Sequence, residues 1–248
     1  MTHKTKGIVL RTVKYGETSL IATIFTELFG IQSYLINGVR KSQAKMNKQI
    51  MLQSSAILEM EVYHNELKSL QRIKEYNWET IYEKLLTDVT RNSISTYLIE
   101  LLLKTLKQPE ANPDFFYFCE DVFKFLDRCN IKSAANLPLY FSLQLTRFLG
   151  CSISNPPIEF MAHQETYLDL KEGIFVNDRP LHKDFIEGTL VQYTIELMKV
   201  IHPEELEEIP LNKEIRRALL NAYQNYFSYH FSDFGNMKTL KLFQEVLS

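Results

Sequence analysis

The sequence predicts an α+β protein: a small five-stranded barrel at the N-terminus followed by an all-α helical bundle with an inserted β-hairpin. Three observations carry that expectation. β-Branched and aromatic residues fall in short, partly alternating runs as far as Tyr76, apolar residues recur every three or four positions beyond Trp78, and one proline-broken stretch interrupts the helical part. With 248 residues, 45% of them hydrophobic, the chain can bury a sizeable core.

The candidate strands are the runs GIVLRTVKY, LIATIFT, IQSYLING, SSAILEMEVY and LKSLQRIKEY. The breaks between them suit turns, because Tyr15-Gly16-Glu17 and Leu28-Phe29-Gly30 each place a glycine where positive φ is needed. Five short strands that give way to helices fit the OB-fold, with a curled meander covered by helices as the rival. Residues 1–78 are accordingly read as an OB-fold nucleic-acid-binding domain and 79–248 as a helical domain.

In the second part, Ile94, Leu98, Leu101, Leu102 and Thr105 form one helical stripe, and Phe115, Cys119, Val122 and Leu126 form another. Asn136 before Leu137-Pro138 is a candidate helix start, with the helix running to Leu149 and ended by Gly150. Further helices are expected over Phe185 to Ile201, Ile215 to Phe231 and Met237 to Leu247. The aromatic clusters FFYF at 115–118 and YQNYFSYHF at 223–231 are read as packing. Residues 151–183 are the excursion: Pro156 and Pro157 forbid helix, and YLDLKEGIFV reads as a hairpin turning at Lys171-Glu172-Gly173.

The overall charge of −2 hides an asymmetry. Residues 1–50 hold eight Lys or Arg against Glu17 and Glu27, whereas the remaining residues hold 20 cations and 28 acids. A basic N-terminal part suggests a polyanionic partner. Arg40, Lys41, Lys45 and Lys48 cluster between the third and fourth candidate strands with no acid among them. Together with Lys6, Arg11 and Lys14 they are the candidate phosphate contacts. Tyr15 and Tyr34 are candidate base-stacking residues, with barrel core as the other reading of Tyr34.

Little in the sequence points to catalysis. The eight glycines are too dispersed for G-x-G-x-x-G or a Walker loop, no H-E-x-x-H or G-x-S-x-G occurs, and the six histidines are scattered. No catalytic residue is assigned. Cys119, Cys129 and Cys151 show no C-x-x-C spacing and are read as small buried apolar residues. The start MTHKTKG lacks a signal-peptide core, and no apolar run is long enough for a membrane span, so a cytoplasmic protein is expected.

Several short elements resemble the RecO family of bacterial DNA repair proteins. Gly7-Ile8-Val9-Leu10, Tyr15-Gly16-Glu17, Phe25-Thr26 with Gly30, and Gly38-Val39-Arg40-Lys41 occur in the family's order at compatible spacing. Sparser signals follow at Tyr97-Leu98-Ile99-Glu100-Leu101-Leu102, Arg147-Phe148-Leu149-Gly150 and Tyr229-His230-Phe231. The resemblance implies an OB-fold and a helical domain, binding of single- and double-stranded DNA, and annealing of complementary strands. It also implies a nucleoid-associated recombination mediator that works with RecR and engages the C-terminal tail of single-strand DNA-binding protein so that RecA can load. Arg128, Lys132 and Arg147 are the candidate cations for that tail. The alternative is a protein–protein adaptor whose barrel and bundle bind partners without touching DNA.

The chain departs from the family pattern in one place. Many members carry two C-x-x-C pairs in the excursion after the Leu-Gly helix end, but here Cys151 directly follows Gly150, and Val176 and Arg179 stand where the second pair should be. Residues 151–183 are therefore expected to be a degenerate zinc-finger-like hairpin with no metal or other cofactor, held by Leu168, Leu170, Ile174 and Phe175.

Overall fold

The computed structural model describes residues 2–38, 48–156 and 166–240. Five strands form the barrel: β1 (Thr2–Tyr15), β2 (Ser19–Thr26), β3 (Gly30–Ile36), β4 (Ile57–Tyr63) and β5 (Leu70–Trp78). The barrel closes in the order β1-β2-β3-β5-β4, with β4 pairing back onto β1. All pairs are antiparallel except β3 with β5. A β-bulge between Val9 and Arg11 changes which side chains of the long first strand face inward. Val9, Leu20, Ala22, Ile24, Tyr34, Ile36, Leu58, Met60, Val62 and Tyr76 fill the interior. Leu52 and Ala56, from the connection between β3 and β4, enter the same core.

The β2–β3 turn shows why glycine stands at position 30. Its φ is +60°, and a Cβ there would lie 2.2 Å from the carbonyl oxygen of Glu110, so both the backbone conformation and the close approach need a residue without a side chain.

Helices follow: α1 (Val89–Thr105), α2 (Pro113–Arg128), α3 (Ile131–Phe148), α4 (Thr189–Lys199) and α5 (Lys213–His230). The residues of the two expected stripes are buried, from Ile94 to Thr105 and from Phe115 to Leu126. The chain divides into two compact units, one of Met1–Asp88 with Ile99–Asp127 and the other of Val89–Leu98 with Arg128–Ser248. The boundary expected after residue 78 falls inside the first unit.

In that first unit α2 lies on the barrel. Phe115 and Phe116 place their rings 5.3 and 5.6 Å from that of Phe25, which faces outward from β2. Beside this apolar contact, Lys6 Nζ lies 2.9 Å from Glu120 and 3.4 Å from Glu79, and Lys124 Nζ lies 2.7 and 3.1 Å from the same two carboxylates. Asp127, near the end of α2, accepts hydrogen bonds from the backbone N–H groups of Glu83, Lys84 and Leu85 at 2.7–3.0 Å.

The second unit corrects several expectations. Helix α3 starts at Ile131, not at Asn136: Asn130 is the N-cap and accepts from Ser133 N–H at 2.9 Å. Asn136 is instead fully buried in mid-helix and donates to the carbonyls of Leu206 and Ile209. Pro138 also lies inside the helix. Residues 185–187 form a strand rather than helix, separated from α4 by Gly188 at φ +60°. The excursion is thus a three-stranded sheet of β6 (Tyr167–Asp169), β7 (Ile174–Val176) and β8 (Phe185–Glu187), with β6 at its centre.

Leu168, Leu170 and Phe175 are buried there, but Ile174 is 42% exposed and does not hold the sheet as expected. A polar clasp does part of that task. Asp169 accepts from Lys171 N–H at 2.8 Å and contacts His182 Nε2 at 3.0 Å, and Lys171 pairs with Asp184 at 3.5 Å. Gly173, at φ +68°, turns against the Tyr226 hydroxyl, which would lie 2.7 Å from an added Cβ. Cys119 is buried as expected, whereas Cys129 and Cys151 are only half-buried. The expected last helix runs beyond residue 240 and lies largely outside the described residues.

Candidate nucleic-acid interface

Side chains alternate across a barrel wall, so the strand register identifies which residues share its outer surface. One outer row runs Arg11, Thr23, Ser33 and Leu70 across β1, β2, β3 and β5. The next runs Val13, Ile21, Leu35 and Arg72, and Tyr15 pairs with Ser19 beyond it. Toward the other end this wall is covered, since Ile8 and Phe25 are buried. The remainder is open: Arg11 and Arg72 are exposed, Val13 is 38% exposed and Tyr15 is 53% exposed.

Arg11 and Arg72 flank a strip of small hydroxyl and aliphatic side chains roughly three strand spacings wide, about 14 Å. Among the described residues neither arginine has an ion-pair partner. An aromatic face and free cations around a shallow apolar strip are the combination that holds a polyanion carrying flat bases.

The sequence-selected residues divide into four groups. Arg11 and Tyr15 lie on the open wall, and exposed Lys14 stands between them in sequence at the end of β1. Lys48 lies near Tyr76 of the barrel core: its carbonyl accepts from that hydroxyl at 3.1 Å and its Nζ is 5.9 Å from the ring centroid. Burial pushes the Tyr76 phenol up to about 12. Arg40, Lys41 and Lys45 lie outside the described residues.

Two assignments are corrected. Tyr34 is 0% exposed in the barrel core, where burial raises its phenol pKa, so no base can stack on it. Lys6 already faces two carboxylates. Burial opposes its charge, but the hydrogen bond and field of Glu120, with Glu79 adding to both, outweigh that and raise its pKa. It serves the α2 contact instead.

Arg72 was missed by sequence reading. The usable signal was topological: in an OB barrel β5 lies beside β3, which places alternate β5 residues next to the outer face of β3.

In the second unit, Arg128, Lys132 and Arg147 are all exposed, yet they do not converge. Lys132 and Arg147 stand fifteen positions apart on α3, roughly 22 Å along its axis. Of the three, Arg147 borders a cavity. It lines a pocket of about 140 Å³ with Leu143, Ile153 and Met198 among the walls. Among the described residues no three His, Cys, Asp or Glu side chains converge as metal ligands would. No described helix is long and apolar enough to cross a membrane.

The described residues thus form a closed OB barrel with a basic, partly aromatic outer wall, followed by helices. Residues 1–82 match the family model for the N-terminal part of recombination protein O, and residues 86–154 match that for its C-terminal part. DNA repair protein RecO of Bacteroides fragilis is 30% identical over 247 residues, covering 99% of each chain, and that of Flavobacterium psychrophilum is 31% identical over 251 residues, covering all of both. The chain belongs to the RecO family of DNA repair proteins.

Proposed function

We propose that the protein is a non-enzymatic recombination mediator that binds single- and double-stranded DNA, anneals complementary strands and helps RecA to load, working with RecR in the cytoplasm at the nucleoid. The observation that carries this reading is the open barrel wall on which Arg11 and Arg72 flank Val13, Ile21, Leu35 and Tyr15. Annealing requires a strand to be held through its phosphates, in any sequence, and then released. Exposed cations supply exchangeable phosphate contacts, and an exposed tyrosine supplies a sequence-tolerant stacking face.

The helical part is proposed to receive the acidic, apolar-ended tail of single-strand DNA-binding protein. Arg147 beside the Leu143–Met198 pocket supports this, because a carboxylate would pair with the guanidinium while an apolar end enters the cavity. Arg128 and Lys132 are too distant to share that pocket and remain candidates for other tail residues.

Fluorescent oligonucleotide binding at low salt tests the barrel reading. Changing Arg11 and Arg72 together to Gln should weaken binding to every sequence similarly, because phosphate contacts carry no sequence information. Unchanged affinity for both DNA forms would leave the adaptor reading as the better one. For the helical part, Arg147→Glu in the full chain should abolish binding of a tail peptide, and retained binding would remove the pocket from the proposal.

A further inference from the structure

Three aromatic rings from separate segments meet where the start of β1, the β2–β3 turn and the end of β4 come together. Phe29, in the turn, packs against the barrel core. The His64 imidazole, one residue beyond β4, stacks on its ring at a centroid distance of 3.9 Å with 13° between the planes. His3 of β1 meets the same ring edge-on, at 5.4 Å and 82°. His64 Nδ1 is buried and, among the described residues, has no hydrogen-bond partner. We propose that these rings form an acid-released latch, in which uncharged imidazoles hold the β2–β3 turn onto β1 and β4 near neutral pH and protonation of His64 lets the turn open.

The buried nitrogen is what makes the stack sensitive to acid. In the tautomer that carries its proton on Nε2, Nδ1 presents a lone pair, and leaving that unpaired costs far less than burying a charged N–H with no acceptor. A protonated imidazole also gains some attraction from the Phe29 face, but it loses its hydration. The His64 pKa lies below its ordinary value of 6.5: burial lowers it, the Glu66 carboxylate partly restores it, and His3 lowers it again. Lys68 and Lys107 line the same groove as His64, and Glu66 is the one acid in that lining. In the β2–β3 turn the nearest acid, Glu27, already accepts from the Tyr117 hydroxyl. The surroundings therefore supply little to hold a proton on the ring.

Few polar bonds hold the turn otherwise. Leu28 N–H donates to Thr5 Oγ1 at 3.3 Å, and Phe29 N–H donates to Thr26 Oγ1 at 3.1 Å. The β4–β5 turn is fastened separately by Gln71, which donates to the carbonyls of Asn65 and Lys68 and accepts from Asn65 N–H. Acid accordingly opens the Phe29 side of the stack and leaves the β4–β5 turn closed. Because the folded imidazole takes up its proton less readily than the open form, the latch contributes its full stability above about pH 6.5 and loses it as pH falls through the folded value.

Amide hydrogen exchange of the full-length protein, corrected for its intrinsic pH dependence, and NMR titration of the imidazoles test this. His64 should titrate below pH 6.5. Protection of the Leu28 and Phe29 amides should fall by up to about tenfold per pH unit below that value, while Asn65 keeps its protection. His64→Phe keeps a ring on Phe29 and removes the titrating nitrogen, so protection of those two amides should stay constant between about pH 5 and 7. His3→Gln, a change at a half-buried position, serves should His64→Phe fold poorly: it should raise the His64 midpoint, because it removes a neighbouring cation. A His64 midpoint at or above 6.5 would overturn the latch, as would equal acid losses of protection in wild type and His64→Phe. A midpoint that His3→Gln leaves unmoved would overturn the three-ring arrangement as well.

Discussion

Two tyrosines with the same sequence-level appearance have opposite environments, and the consequences separate cleanly. Tyr34 faces inward from β3 and is 0% exposed, while Tyr15 ends β1 at 53% exposure. Tyr34→Ala removes an aromatic ring from the centre of the barrel and should destabilise it by about 3–5 kcal/mol, measured by denaturant unfolding. Tyr15→Ala should leave stability within about 0.5 kcal/mol and cost about 1–3 kcal/mol of single-strand affinity if a base stacks there. The sequence left stacking and core both open for Tyr34, and for Tyr15 the bulge between Val9 and Arg11 means that inward and outward positions along β1 do not follow simple alternation. Asp127 is a second residue whose role lay beyond sequence reading. Its carboxylate receives three backbone N–H groups from residues more than forty positions earlier, so Asp127→Ala should cost about 2–3 kcal/mol by leaving those donors unpaired.

At the scale of elements, α2 is fastened to the barrel by aromatic rings and by the four-charge cluster of Lys6, Glu79, Glu120 and Lys124. Burial alone would raise the Glu79 carboxyl, but hydrogen bonds from Thr80 and Lys124 and the fields of Lys124 and Lys6 hold it below its ordinary value of 4.5. Lys6 and Lys124 are raised above 10.5, because desolvation is outweighed by their hydrogen bonds to the two carboxylates and by the carboxylates' field. The depressed carboxyl contributes stability above about pH 4.5 that disappears as pH falls through its folded value. The raised lysines contribute stability below about pH 10.5 that disappears as pH rises through theirs. Melting temperature should therefore change little between about pH 5 and 10 on account of this cluster and fall on either side, and Glu120→Gln should flatten the alkaline flank, because Glu120 is the stronger of the two carboxylates that raise the lysines. The cysteine-free sheet is the other element with a distinct expectation. Leu168, Leu170 and Phe175 bury apolar surface and Asp169 clasps His182, so elemental analysis should find no stoichiometric zinc, and a chelator should leave the melting temperature unchanged. Apolar runs and turn glycines made the barrel and the first two helices legible. Helix α3 was misread because Asn136-Leu137-Pro138 has the composition of a helix start while serving in mid-helix, where Asn136 satisfies carbonyls seventy and more residues away. Such long-range partners leave no local trace.

Across the whole molecule, the charge asymmetry was the sequence signal that suggested a polyanionic partner, and the structure shows where its described cations lie. Of the candidate cations among residues 1–48, Lys6 is committed to internal carboxylates, Arg11 and Lys14 are exposed, and Arg72, contributed by a later strand, joins the open wall. The cluster Arg40, Lys41, Lys45 and Lys48 follows directly on β3, whose outer residues Ser33 and Leu35 belong to that wall. Changing all four to Gln should weaken single strands and duplexes alike, since the attraction removed is electrostatic and blind to sequence. The single-strand slope of log affinity against log salt should become shallower by about 0.7 for each phosphate no longer neutralised, so that full engagement of the cluster corresponds to roughly 2 to 3. Stability should hardly change, because no glutamine introduced there removes an apolar side chain from the core. A salt series on two lengths of oligonucleotide separates the contributions: if the cluster lies on the strand's path beyond the wall, its effect should grow with length, whereas removal of Arg11 and Arg72 should be felt equally by short and long strands. An unchanged slope at both lengths would mean that the cluster is a solvated basic face and that the wall alone carries DNA.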